Sequence, residues 1–109
     1  MTVTSSHLQA CMNAYLQCDQ LLTDLTQEPI LVSDTNTSVI DECARVCLGT
    51  LTAIRNSWPG FEDVLLLCVG VCEECAEICE AHPGQNFKAC AAACRQCSTA
   101  FSQLIMSKA

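Results

Sequence analysis

Positive charge is scarce in this chain: five lysines and arginines stand against twelve aspartates and glutamates, for a formal net charge of -7 over 109 residues. With no basic stripe to neutralise phosphates, nucleic acid is not an expected partner. Large rings are few as well, with one Trp, one Tyr and three Phe, so aromatic packing does not dominate the interior. No apolar run reaches membrane-spanning length without polar interruption, which argues against a membrane partner. The opening MTVTSSHLQACMNAYLQC has no basic region followed by an apolar run and no twin arginine, so a cytoplasmic location is expected. Two histidines far apart in the chain leave little to activate a nucleophile, and no enzyme activity is expected.

Proline and glycine are also sparse, and most of them sit together at Trp58-Pro59-Gly60 and His82-Pro83-Gly84. With Glu28-Pro29, these breakers cut the chain into four segments of similar length. Helices are predicted over about 4–27, 37–57, 61–81 and 85–106, with 29–36 as a connection and Asp34, Asn36 or Thr37 as a cap. Glu62 and Asp63 suit the first turn of the third helix. The expectation is an all-α fold, one domain over residues 1–109, built as an antiparallel up-down-up-down four-helix bundle with a cysteine-lined core.

What the chain has in abundance is cysteine, eleven in all. In a short secreted protein that density signals a disulfide scaffold, but the odd count and the expected reducing compartment point toward metal binding or chemistry. In CVGVCEECAEICEAH, Cys68, Cys72, Cys75 and Cys79 recur at steps of four, three and four. Such offsets keep side chains on one face of a helix. The stripe extends back to Leu65 and Phe61 and forward to His82, while Glu73, Glu77 and Glu80 take the opposite face. The fourth helix repeats the design with Phe87, Cys90, Cys94, Cys97, Phe101 and Leu104. The second offers Ile40, Cys43, Cys47, Leu51 and Ile54. The first offers Leu8, Cys11, Cys18 and Leu25, with Ala14 or Tyr15 between its thiols.

Each helix thus carries cysteine where a core residue belongs. In a tight hairpin of the third and fourth helices, Cys79 would face Cys90, Cys75 would face Cys94 and Cys72 would face Cys97, with Cys68 opposite Phe101. The thiols would line one half of a tube whose mouth is near Pro83. Phe61, Leu65, Phe101, Leu104 and Ile54 would plug the other half, with Cys11 nearest the plug.

Free cysteine packs as a small hydrophobe, yet leucine would build such a core without the oxidation hazard. Cysteines three or four apart on one helix are poorly placed for disulfides. Zinc sites favour Cys-x2-Cys knuckles in loops, and iron–sulfur clusters favour cysteine runs on irregular backbone. Here the dominant pair is Cys-x3-Cys on a helix, at Cys43/Cys47, Cys68/Cys72, Cys75/Cys79 and Cys90/Cys94. Such pairs can clasp a two- or three-coordinate ion, and Cu(I), soft and content with low coordination, suits them. An iron–sulfur electron carrier, or a thiol-redox or partner-binding bundle with incidental metal, are the alternatives.

The repeated motifs of Cys68–Cys97, CVGVCEECAEICEAH followed by CAAACRQC, resemble the copper storage proteins, cysteine-rich four-helix bundles whose core thiols hold many Cu(I) ions. The resemblance implies several Cu(I) ions per chain, with Cys11, Cys18, Cys43, Cys47, Cys68, Cys72, Cys75, Cys79, Cys90, Cys94 and Cys97 as ligands. It also implies a cytosolic store, a homo-oligomer (commonly a tetramer) and a copper chaperone as a candidate partner. A further family thiol is expected where this chain has Phe101, and Cys11 and Cys18 lack one between them, so capacity should be reduced. His82 continues the thiol stripe and is a candidate ligand at the mouth. His7 precedes Cys11 by one turn at the far end, and Met12 and Met106 are expected to pack. Gly49 and Gly70 are expected to let helices approach closely.

Overall fold

A computed structural model describes residues 2–27 and 34–107. They form four helices: α1 (Ser5–Gln27), α2 (Asp34–Arg55), α3 (Phe61–Glu80) and α4 (Gln85–Met106). Each packs against its two neighbours in a closed square, α1 on α2, α2 on α3, α3 on α4 and α4 on α1. The bundle measures 43 × 22 × 21 Å, the length of one long helix by the width of two. No strand occurs among the described residues.

The breakers act as their chemistry requires. At the end of α2, the Trp58 amide donates to the Ala53 carbonyl at 3.0 Å and the Ser57 amide to that of Ile54 at 3.1 Å. This paired closure is a Schellman motif, which needs a left-handed residue where the chain leaves the helix. Ser57 takes that conformation with φ of 51°, and Gly60 takes it again with φ of 76° before α3 begins. The motif therefore ends α2 at Arg55, two residues before the predicted stop. At the other connection, Gly84 with φ of 121° accepts from the Lys88 amide at 3.2 Å and so starts α4. The start of α2 at Asp34 puts Asn36 and Thr37 inside the helix rather than at its cap. Most of the predicted connection, residues 29–33, lies outside the described residues.

The core is the sum of the four predicted stripes. Every cysteine is completely buried, as are Ala14, Ile40, Leu65 and Phe101. Ala14, and not Tyr15, fills the gap between Cys11 and Cys18. Alanines at 44, 76 and 91 are buried beside the thiols. Small side chains there let the helices come close enough for short cysteine side chains to meet across the axis.

Two structural expectations are corrected. Gly49 and Gly70 are not close-approach points, because a Cβ at either would meet nothing within 4 Å. Met12 and Met106 do not pack inward; they are 39% and 75% exposed, since both lie off the buried stripes. No described helix is long and apolar enough to cross a membrane.

Candidate metal centre

Eleven sulfurs occupy the axis of the bundle, all free and all buried. They fall into four groups whose sulfur atoms lie within 4.8 Å of one another. The first is Cys11, Cys47, Cys68 and Cys97, one from each helix. The second, Cys43, Cys47 and Cys72, shares Cys47 with the first and Cys43 with the third. The third is Cys18, Cys43, Cys75 and Cys94, again one per helix. The last, Cys75, Cys79 and Cys90, shares Cys75 with the third. Every cysteine takes part, and Cys43, Cys47 and Cys75 join the groups into one continuous ladder.

The shortest contact is between helices: Cys18 Sγ to Cys90 Sγ is 3.6 Å, and Cys18 reaches Cys94 at 3.8 Å and Cys75 at 3.9 Å. Cys47 lies 3.7 Å from Cys72 and 3.9 Å from Cys68. Cys43 lies 3.8 Å from Cys72 and 3.9 Å from Cys94. Within one helix, Cys68 and Cys72 are 4.0 Å apart. The Cys11 thiol also donates to the Cys47 carbonyl at 3.4 Å.

The predicted register of α3 and α4 holds where Cys79 groups with Cys90 and Cys75 with Cys94, but the two helices also interdigitate. Cys90 sits with both Cys75 and Cys79. Cys97 is 4.0 Å from Cys68, where Phe101 was expected. A knob of one helix settles between two residues of the other, so a predicted partner is joined by a second. Cys47, expected among the thiols remote from the plug, groups with Cys11 instead.

Hydrogen bonds among the thiols shift their acidities in opposite directions. Cys47 is held well below the ordinary thiol range by Cys11 first, then by Cys43, Cys68 and Cys72. Cys75 is held down in the same way by Cys18, Cys43, Cys79 and Cys90. Cys90, bonded first to Cys18 and then to Cys75, is pushed well up. Its bond to Cys75 pushes Cys79 up to about 12. An S–H aimed at a sulfur favours the anion there and disfavours it at the donor, while burial opposes charge everywhere. Cys68, through Cys11 first, and Cys94, through Cys18 first, are held down too, so each half of the ladder has two sulfurs that favour the anion. A soft-donor column of this kind exchanges thiol protons for soft cations.

Both ends of the column are closed, which corrects the expectation of an open mouth near Pro83. At that end Phe87, Leu21 and Ile40 are buried over the last thiols. His82 stacks on Phe87 with ring centroids 4.8 Å apart and joins none of the sulfur groups. A cavity of about 160 Å³ opens outside this cover, between Leu21, Asp24, Leu25 and the Pro83–Phe87 turn. Asn86 donates to Asp24 at 2.8 Å across it. At the far end lie Leu65, Phe101 and Leu104, with Phe61 and Ile54 packed against them. His7 stacks on Phe101 at 6.5 Å, and its Nδ1 accepts from the Thr4 amide at 2.9 Å.

Comparison with known proteins follows the same line. Residues 2–106 match the family model described as Csp: Copper storage protein. The uncharacterized cysteine-rich protein YhjQ of Bacillus subtilis (strain 168) is 27% identical over 92 residues, spanning 84% of this chain and 85% of that protein. The Cu(I)-bound Copper Storage Protein BsCsp3 superposes with a TM-score of 0.84 at 24% identity, over 91% of this chain and 94% of that one. That last likeness is one of fold.

Proposed function

The chain belongs to the copper storage protein family, and from that premise we propose that it stores and buffers Cu(I) in the thiol ladder of its core. The ions are cargo, held without any catalysed reaction. The observation that carries this reading is the set of four overlapping sulfur groups, which leaves no cysteine outside reach of at least two others. Cu(I) accepts two or three thiolates, so each group offers a complete coordination shell without a further ligand. A buried column of bare thiolates would be prohibitively costly. One Cu(I) per thiolate leaves the column neutral, and one proton departs for every thiolate formed. Capacity lies between about five and eleven ions, from two thiolates or one per Cu(I).

All eleven cysteines serve as ligands in this proposal, with His82 as a transient ligand at the Phe87 end. The thiols must stay reduced to bind, which fits a cytoplasmic protein. The chain acts as one domain over residues 1–109. Leu16, Leu48, Leu66 and Leu67, each about half exposed, supply apolar surface for association into a homo-oligomer, with a copper chaperone as the delivering partner.

An anaerobic titration of the reduced protein with Cu(I) against a competing chelator tests the reading. Several equivalents should be taken up before the chelator–copper colour develops, with no visible iron–sulfur absorption. Saturation at one equivalent or none defeats it. Cys43→Ser, which removes a sulfur common to two groups, should lower capacity more than Cys79→Ser, which removes one from a single group.

A further inference from the structure

Spacing along single helices argues against zinc, because it compares only ligands from the same helix. The folded molecule assembles its donors differently. Cys11, Cys47, Cys68 and Cys97 come one from each helix, and so do Cys18, Cys43, Cys75 and Cys94. Four sulfurs that converge from four directions can stand at the corners of a tetrahedron, which no run of cysteines on one helix can do.

The dimensions agree. A regular tetrahedron with metal–sulfur bonds of about 2.3 Å has edges of about 3.8 Å. In one quartet the Cys18–Cys94, Cys18–Cys75 and Cys43–Cys94 edges measure 3.8, 3.9 and 3.9 Å. In the other, Cys47–Cys68 and Cys68–Cys97 measure 3.9 and 4.0 Å. The remaining edges of both stay within 4.8 Å. We propose that the two quartets are tetrathiolate sites for a tetrahedral divalent ion, Zn(II) by its size and ligand preference, so that the chain holds two such ions in place of its Cu(I) load. The proposal rests on the same sulfur column as the storage reading but on a different geometric property of it.

The three cysteines left over have a defined part. Cys72 stands between the quartets, 3.7 Å from Cys47 and 3.8 Å from Cys43. Cys79 and Cys90 group with Cys75. As neutral thiols they donate to sulfurs of the bound quartets. That matters because each site is over-compensated: one Zn(II) and four thiols give a dianionic tetrathiolate and four released protons. A buried excess charge is tolerable only when hydrogen bonds reach it. The two metals should also differ in how they fill the column. Cu(I) uses shared sulfurs and accumulates; the divalent ion uses each sulfur once and stops at two.

Co(II), added anaerobically to the reduced full-length protein, is the probe. The expected result is saturation at two equivalents, with the intense visible d–d bands of tetrahedral tetrathiolate cobalt. Protons should leave as the ions enter, at most four per ion, and two equivalents of Zn(II) should bleach the colour. Cys18→Ser and Cys97→Ser should each remove one of the two sites, and their far-ultraviolet circular dichroism reports whether they fold. The count and spectrum of the unaltered protein decide the question even if a variant does not fold. A pale six-coordinate spectrum, or saturation at a number other than two, overturns the proposal. Cu(I) titration of the same sample separates the readings. Cu(I) uptake without tetrahedral cobalt leaves storage standing and sinks this proposal, and the reverse result sinks storage alone.

Discussion

The two ends of the bundle use the same parts in different depth. Each has a phenylalanine over the outermost thiols and a histidine stacked on that ring: Phe87 with His82 at one end, Phe101 with His7 at the other. Beyond the thiols on the Phe87 side, three helices add one buried apolar residue each, Leu21, Ile40 and Phe87, and only α1 adds a second turn with the partly buried Leu25. On the Phe101 side, two turns follow on most helices: Leu51 then Ile54, Leu65 then Phe61, Phe101 then Leu104. One end is a lid and the other is a foundation. In a protein whose middle is filled with small side chains, large buried residues stand at both ends, four at the Phe101 end against three at the Phe87 end, and the thinner end is the proposed entry for cargo.

The comparison breaks most visibly at the two rings. Phe101 is completely buried, and Phe101→Ala should cost about 3–5 kcal/mol, read as a lower denaturant midpoint. Phe87→Ala should cost less, because its ring adjoins the outer cavity and the site can relax. Its larger effect should be on stopped-flow kinetics, with Cu(I) uptake faster than in the unaltered protein while Phe101→Ala leaves the initial rate alone. Equal rate changes from both substitutions would mean that the ends do not differ as gates.

The histidines sharpen the same contrast with a smaller effect. His82→Ala should slow initial Cu(I) uptake several-fold without changing final capacity, measured by stopped-flow and by chelator competition. His7→Ala should change neither, since its Nδ1 is engaged by Thr4 and the apolar foundation lies between it and the thiols.

Much of this was readable before any coordinates. The core stripes follow from helical period, because cysteine at three- and four-residue steps between Phe61 and His82 has no other regular backbone on which to align. Sequence period defines a face, however, and not the axial offset between helices. That offset is set by the connections, the Schellman closure at Ser57 between α2 and α3 and the turn at Gly84 between α3 and α4, and by how knobs seat in holes, so Cys97 meets Cys68 and the quartets are invisible in any single stripe. The lid was missed for a related reason. Phe87, Leu21 and Ile40 belong to three different helices, and only the closed square brings them over Cys79 and Cys90. Glycine misled because a missing side chain signals either close approach or mere tolerance. Gly70 is the second kind, which makes Gly70→Ala the smallest expected effect: a gain of up to about 1 kcal/mol, seen as a raised Tm with metal capacity untouched.

The sharing of Cys43, Cys47 and Cys75 between neighbouring groups bears on traffic. A ladder with common rungs lets an occupant pass inward by exchanging one sulfur at a time, never fully bare. With one thin gate, the last ion to arrive waits nearest the exit and the earliest lies deepest. Such a vessel empties in the reverse of the order in which it filled. Position along the axis, rather than tightness of grip alone, then ranks which ions a recipient can collect first.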